Sequence, residues 1–423
     1  MRTRFLPAGA GRLQRDPWTH PLQSRFIFLR RTTYCLAIIV FCTLLVLPTL
    51  DRLIEFAPKG TVAEMETTPL PRLTSAPDSW GRWFDVLRRG YFDRHYNLRG
   101  LLISWNSYLD TFVLASTTSS NKVMAGTDHW LFLAQDGSFR NVVEDARSPG
   151  DLPADSLKIL GNELERRRQW LEARGIRYLV ILAPNKNSVY PDKLPKALRP
   201  KRLESHRDQF VRFLHETTKV DIVDVTEALV AAKPQHNVFY MTDSHWNAHG
   251  AFAAYQLVMQ HLTRDFPSIK PLDRSQFRVE QYSWLSGDLA FMMGLSDYIK
   301  EDRIIYFNKE WYKARGLSYD GPGDPHYFEH PQYSTTGDPK LPRAVIFHDS
   351  FWWELLPFMA EAFDKALYVW LKPQNETELR YFDAALIERE KPDIVIDEFT
   401  ERYIIPPLRG GFKLKSGTAA AKE

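Results

Sequence analysis

The stretch Gly175-Ile176-Arg177-Tyr178-Leu179-Val180-Ile181-Leu182-Ala183-Pro184-Asn185-Lys186 holds three structural signals in succession. Gly175 stops a helix in which Leu157, Leu160, Leu164 and Leu171 recur at helical spacing. Residues 176–183 form a near-continuous apolar run of strand length, which reads as a strand buried on both faces. Pro184 and the Asn-Lys pair then open a polar loop. A helix leading into a fully buried strand is the repeating unit of a parallel sheet.

Downstream the unit recurs. The pattern predicts a helix over about 200–217, a strand over 220–225, a short helix from Thr226, a strand over 238–241 and a helix over 248–262. Residues 308–342, rich in Pro, Gly, Tyr and His, read as irregular. The alternation resumes with strand 343–348, helix 351–363 and strand 366–371. A helix capped by Asn375 with Glu378 three residues on, and a strand over 393–397, complete it. The expected fold class is α/β, a parallel sheet flanked by helices on both faces.

Upstream, residues 32–50 are uncharged and rich in Leu, Ile and Val, about the ~20 residues that a bilayer core requires. Seven Arg and a single acidic residue, Asp16, precede them. The excess of positive charge predicts a cytoplasmic N-terminus and one transmembrane helix, with the rest of the chain extracytoplasmic. The run ends Leu47-Pro48-Thr49-Leu50 without the small residues of a cleavage site, so an uncleaved anchor is expected. Residues 51–79 read as a linker, and 80–115, alternating aromatics with Arg, as an amphipathic helical collar.

With 44% hydrophobic and 25% charged residues, the 423-residue chain has the composition of a globular protein. Its sequence pI of about 8.6 arises from the Arg-rich N-terminus, because beyond residue 31 acidic residues outnumber basic ones by three. That balance gives no electrostatic footprint for nucleic acid, and no nucleic-acid partner is expected. Cys35 and Cys42 both lie in the apolar segment, so the exported part has neither a disulfide framework nor a cysteine metal site.

The chemistry is expected in Met241-Thr242-Asp243-Ser244-His245-Trp246-Asn247-Ala248-His249-Gly250. Asp243 and His245, two apart on a loop, can supply a base and the carboxylate that orients it, two members of a nucleophilic triad. The same spacing recurs at Asp93/His95 and Asp324/His326, but only the middle pair follows an apolar run and opens a helix. Ser350, on the turn after strand 343–348, is the candidate nucleophile, with N–H groups of Ser350 or Phe351 as oxyanion donors. A helix-capping role for Ser350 or Asp349 is the competing reading. Asn185 and Lys186 are candidates for holding an oxyanion or substrate, against the alternative of a solvated turn. Asp243, His245 and His249 also form a conceivable two-His, one-carboxylate metal set; no HExxH motif accompanies them, and no metal or other cofactor is expected.

The run Thr242-Asp243-Ser244-His245-Trp246-Asn247 with Gly250 resembles the D-x-H-W-N signature of the alginate O-acetyltransferase AlgX/AlgJ-like family, extracytoplasmic SGNH-hydrolase-like enzymes. Four further stretches agree in order: Gly126-Thr127-Asp128-His129-Trp130-Leu131-Phe132, then Pro184-Asn185-Lys186 with Val189-Tyr190-Pro191, then Asp349-Ser350-Phe351, and last Lys391-Pro392-Asp393 with Glu401-Arg402-Tyr403. The resemblance implies a circularly permuted SGNH-like domain over residues 120–405, after a segment 51–119 and before a polar tail 406–423. It implies Asp243, His245 and Ser350 as the catalytic set; Trp246 and Phe351, next to them in sequence, join Asn185 and Lys186 as candidates for substrate or oxyanion. His348 stands where the family motif has Gly.

The resulting expectation is an O-acetyltransferase anchored in the cell inner membrane by residues 32–50, with residues 1–31 cytoplasmic and the catalytic domain periplasmic. It acetylates a secreted or cell-surface polysaccharide through an acyl-enzyme. By resemblance, a membrane-bound acyltransferase relays the acetyl groups. A carbohydrate acetyl esterase with the same triad, or an inactive glycan-binding scaffold of a secretion complex, are the alternatives.

Overall fold

A computed structural model of the chain describes residues 32–43, 46, 47, 50, 51, 54, 80, 81, 83, 97–113, 122–135, 142, 150–200, 204–308, 315–318, 332–370 and 382–404. The chain divides into two compact units, residues 1–60 with 65–102 and residues 61–64 with 103–423. In the first, residues 32–43 are helical with apolar side chains such as Ile38 and Phe41 exposed. Among the described residues no helix is long and apolar enough to cross a membrane. Residues 44, 45, 48 and 49 of the expected anchor lie outside them, as do the Arg-rich segment, residues 55–79, the Asp93/His95 and Asp324/His326 pairs, Asn375 and the tail. Of the expected collar, residues 80, 81, 83 and 97–113 are described; the longer stretch is α1 (Asn97–Tyr108), which runs on into a π-helical turn, Leu109–Val113.

The second unit opens with a hairpin of β1 (Val123–Ala125) and β2 (Leu131–Leu133), whose connection turns through Asp128 and His129 in the left-handed region. Then come α2 (Ala154–Glu172), β3 (Arg177–Ala183), the one-turn helix α3 (Lys186–Val189), α4 (His206–Thr217), β4 (Asp221–Asp224), α5 (Thr226–Ala232) and α6 (Ala248–Asp265). A second hairpin, β5 (Phe277–Leu285) and β6 (Glu301–Asn308), carries the short α7 (Asp288–Met292) in its connection. The chain continues with β7 (Arg315–Ser318), β8 (Gln332–Thr335), β9 (Ala344–His348), α8 (Trp352–Met359), β10 (Lys365–Trp370), α9 (Ala384–Glu390) and β11 (Ile394–Thr400).

Among the described residues, seven strands make the central sheet in the order β4-β3-β11-β9-β10-β8-β7. The first five pair in parallel, and β8 and β7 add an antiparallel edge. Two-residue alternation splits each apolar run between two cores. Leu179, Ile181, Ile346, Ile394 and Ile396 face one side, with Phe252, Val258 and Phe358 of α6 and α8. Tyr178, Val180, Leu182, Val345 and Val395 face the other, with Leu160, Leu164, Phe210 and Leu214 of α2 and α4. Burying each such side chain contributes roughly 1.5–3 kcal/mol, which is why continuous apolar runs, and not alternating ones, mark these strands. A buried ion pair pins α2 to the sheet: Arg167 Nη1 lies 2.7 Å from Asp397 Oδ2, which also accepts from the Tyr178 hydroxyl at 2.6 Å.

Several expected elements are corrected. Residues 238–241 are not a sheet strand; only an isolated antiparallel bridge, Phe239 to Trp246, closes the segment on itself. Val238 and Phe239 are fully buried because their side chains enter the core, which requires no ladder. The stretch read as irregular contributes β7 and β8 to the sheet. Helix 351–363 is α8 followed by a 3-10 turn, Ala360–Ala362. The helix expected from about 200 begins at His206, where Ser205 and Asp208 form a capping box.

Candidate active site

The Asp243-Ser244-His245 loop joins α5 to α6 and owes its shape to polar contacts rather than to a strand. At its far end Asn247 caps α6 by accepting from the N–H groups of His249 and Gly250. A Cβ at Gly250 would lie 2.2 Å from the Val238 carbonyl oxygen, so the helix start can approach the loop start only with glycine there. Inside the loop, Asp243 Oδ1 accepts from the His245 N–H at 2.9 Å, a local Asx turn. This explains the two-residue spacing: one carboxylate oxygen folds the loop and, at 2.6 Å, meets His245 Nδ1. A third element supplies the hydroxyl, since His245 Nε2 lies 2.7 Å from Ser350 Oγ on the turn after β9.

That turn is fastened to its neighbour β11. Asp349 N–H donates to Glu398, and Asp349 Oδ2 accepts from the N–H and hydroxyl of Thr400 at 2.8 and 2.7 Å. Asp349 Oδ1 takes the Phe351 N–H at 2.9 Å. Phe351 N–H is therefore engaged, and the Ser350 N–H is the backbone donor left for an oxyanion beside Ser350 Oγ. Helix α8 has no side-chain cap bond, so Ser350 is not its cap.

The remaining sequence candidates take supporting places. Trp246, fully buried, donates its indole N–H to the Phe351 carbonyl at 2.9 Å and packs on the Phe351 ring, locking the loop to the turn. Lys186 is buried against Trp130 and Phe132, and its ammonium donates to the carbonyls of Tyr240 and Met241 at 2.9 and 3.1 Å. It holds the loop from below instead of reaching an oxyanion, and burial pushes its pKa down to about 8. Asn185 uses its backbone N–H on Glu401. None of Asn185, Lys186, Trp246 and Phe351 lines the cavity at the serine. The metal set with His249 is not assembled: His249 Nδ1 meets the Tyr306 hydroxyl at 2.8 Å, its ring stacks on His236, and burial lowers its pKa to about 4.

The β5–β6 hairpin brings in groups that the sequence did not announce. Its Phe277 and Tyr306 pack against Phe358 and Phe252 of α8 and α6. From this platform Glu301 accepts the N–H groups of Met241 and Thr242 at 2.6 and 2.7 Å, and Asp288 accepts the Ser244 N–H at 2.6 Å. A cavity of about 280 Å³ opens at Asp243, His245 and Ser350, walled by Tyr240, Arg303, Trp353 and Glu354. These residues are isolated in charged or aromatic stretches without periodicity; only the Ser-Gly-Asp turn at 286–288 offered a signal.

Burial opposes the charged forms of both partners, yet their mutual hydrogen bond and attraction win. The Asp243 carboxyl is held well below its usual range and the His245 imidazole above its own. An imidazole so held has the geometry to accept a proton from Ser350 Oγ and to return it to a leaving group, which is what acyl transfer through a serine requires.

Residues 123–318 match the family described as an SGNH hydrolase-like domain of the acetyltransferase AlgX. The match includes Asp243 and His245 and ends before β9. The chain is 31% identical over 136 residues to a probable alginate O-acetylase AlgJ of Pseudomonas syringae pv. tomato, spanning 32% of either chain. It is 24% identical over 296 residues to the corresponding protein of Pseudomonas putida, covering 67% of this chain and 70% of that one. Among solved structures, the O-acetyltransferase domain of Pseudomonas putida AlgJ aligns with a TM-score of 0.43 at 20% identity, over 67% of this chain and 91% of that one.

Proposed function

We propose that this chain, whose residues 123–318 match the AlgX SGNH hydrolase-like family and which is similar to probable alginate O-acetylases, is an extracytoplasmic O-acetyltransferase that esterifies hydroxyls of a polysaccharide. The observation that carries the mechanism is the relay Asp243 Oδ1, His245 Nδ1, His245 Nε2, Ser350 Oγ, with contacts of 2.6 and 2.7 Å.

In the first half-reaction Ser350 Oγ attacks the carbonyl of an acetyl donor. The Oγ–C bond forms, the donor's acyl bond breaks, and the serine proton passes to Nε2 and on to the leaving group. The Ser350 N–H faces the developing oxyanion. In the second, Nε2 takes the proton of a sugar hydroxyl, that oxygen attacks the acetyl-serine, and the proton returns to Ser350 Oγ. Tyr240 and Trp353 offer aromatic surface, and Arg303 with Glu354 polar contacts, for a sugar in the cavity. The acetyl donor is supplied by a membrane-bound acyltransferase, and residues 32–50 anchor the chain in the inner membrane with the catalytic unit in the periplasm; the apolar run and the seven preceding Arg support that topology.

The test is mass spectrometry of the full chain after exposure to an activated acetyl ester, then to a panel of oligosaccharides. An acetyl group on Ser350 that moves to sugar supports the transferase, and one released only to water makes the protein an esterase. Unchanged acetylation after Ser350→Ala would remove the nucleophile assignment. A reporter fused after Glu423 that is active in the cytoplasm would overturn the topology.

A further inference from the structure

We propose that Asp288 is a positioning residue for His245, a second carboxylate that fixes the 242–245 loop from outside and places negative charge beside the imidazole when it holds the serine proton. The proposal rests on the reading of Ser350 as nucleophile and His245 as base.

Asp288 begins α7 and reaches the loop from 45 residues away. Its N–H donates to Asp243 Oδ2 at 3.0 Å, leaving Oδ1 to face His245. Its own carboxylate grips the residue between them, taking the Ser244 N–H at 2.6 Å and the Ser244 hydroxyl at 2.5 Å. Oδ2 of the same carboxylate stands 3.8 Å from His245 Nδ1. The preceding Gly287 makes the approach possible, since a Cβ there would lie 2.4 Å from Asp243 N. Backbone bonds complete the clamp: the N–H groups of Leu289 and Ala290 both donate to the Thr242 carbonyl at 3.1 Å.

The charges that face His245 come from every side. Asp243 lies on its own loop, Asp288 on α7, Glu354 on α8, and Arg402 on the turn after β11, with Lys186 beneath Asp243 and Asp288. Arg402 opposes an imidazolium, and Asp243 and Asp288 favour it. Taking away the Asp288 charge therefore weakens the base while the Asp243 contact persists.

The experiment follows acetylation of Ser350 by p-nitrophenyl acetate in the full chain across pH. The Oγ–C bond forms, the ester C–O bond breaks, the serine proton goes to Nε2, and p-nitrophenolate is released and measured. Asp288→Asn keeps the shape and an acceptor but no charge, and is expected to move the acid limb to lower pH by about one unit and to lower the plateau about tenfold. Ser244→Ala keeps both carboxylates and loses one tether; it is expected to lower the plateau with the limb in place. An Asp288→Asn profile that superimposes on the parent's, in protein with the parent's melting temperature, overturns the proposal. If that variant does not fold, a parental plateau in Ser244→Ala overturns it instead. Phenolate release by Ser350→Ala at the parental rate signals a different failure, that of the nucleophile reading.

Discussion

Asp349 Oδ2 accepts the backbone N–H of Thr400 at 2.8 Å, so the turn that carries Ser350 is fastened to the strand beside it. With the Thr400 hydroxyl and the Phe351 N–H on the same carboxylate, Asp349→Ala leaves three buried donors without their acceptor. Each such loss costs about 1–3 kcal/mol. Chemical denaturation should show a drop of roughly 2–4 kcal/mol after partial relaxation, together with slower acylation of Ser350. A variant as stable as the parent would mean that the turn is held elsewhere.

The pH dependence follows from the relay. Burial disfavours the imidazolium, but the hydrogen bond to Asp243 and the charges of Asp243 and Asp288 outweigh it, so the His245 pKa lies above its usual 6.5. The neutral ring is the base, so acylation should rise through a midpoint above 6.5. A raised folded pKa contributes stability that is fully present below the unfolded value and is lost as pH rises through the folded one. Activity should therefore appear over the window in which part of the stability disappears. Asp243→Asn should move the rate midpoint down and flatten the melting curve against pH; a parental midpoint in that variant would contradict the assignment.

Chelation should leave the rate unchanged. Asp243, His245 and Asp288 could bring ligand atoms within 4.8 Å of one another. Their atoms are engaged among themselves: Nδ1 with Asp243, Asp243 Oδ2 with the Asp288 N–H, and the Asp288 carboxylate with Ser244. A metal there would have to break the contacts that orient His245. Loss of activity in EDTA with recovery on adding a divalent ion would favour the metal.

Arg303 and Glu354 approach to 3.3 Å across the cavity wall, where burial raises the Glu354 pKa. They stand beside the serine, and their close contact is with each other rather than a hydrogen bond or ion pair to Asp243, His245 or Ser350. For Arg303→Ala and Glu354→Gln the loss should fall on the oligosaccharide acceptor, whose KM rises about tenfold, more than on acylation by a small ester. Equal losses in both half-reactions would place the pair in the chemistry instead.

The parts of this architecture that could be read from sequence were those written in short range. β3, β9 and β11 announce themselves because both faces of the strand are buried, and the D-x-H spacing because one carboxylate folds its own loop. The clamp on that loop comes from distant residues, Glu301 in the charged run Lys300-Glu301-Asp302-Arg303 and Asp288 in a turn ahead of an apolar run, and neither setting marks a partner for the loop. Lys186 was legible as a loop residue but not as a buried one, since its surroundings, Trp130 and Phe132, arrive from the β1–β2 hairpin. Residues 238–241 show the converse limit: an apolar run records burial of side chains, and a ladder partner is a separate matter.

His348 presents a choice between two physical outcomes. If the backbone there required the left-handed region, glycine would relieve strain and His348→Gly would be both more stable and faster. The structure places His348 in β9, paired with Trp370 of β10, and the left-handed non-glycine residues among those described are Asp128, His129 and Lys391. The ring is buried, lies 5.4 Å from Trp353 and 6.0 Å from Trp352 between centroids, and bonds through Nδ1 to the Asp349 carbonyl at 2.7 Å. It does not line the cavity at the serine. His348→Gly thus removes a packed ring and a hydrogen bond and adds chain entropy, a loss of about 2–4 kcal/mol. Because that hydrogen bond steadies the residue before Ser350, acylation should slow as well. Melting temperature and initial rate of His348→Gly beside the parent decide it: a gain in both would show that the turn is strained with histidine at this position.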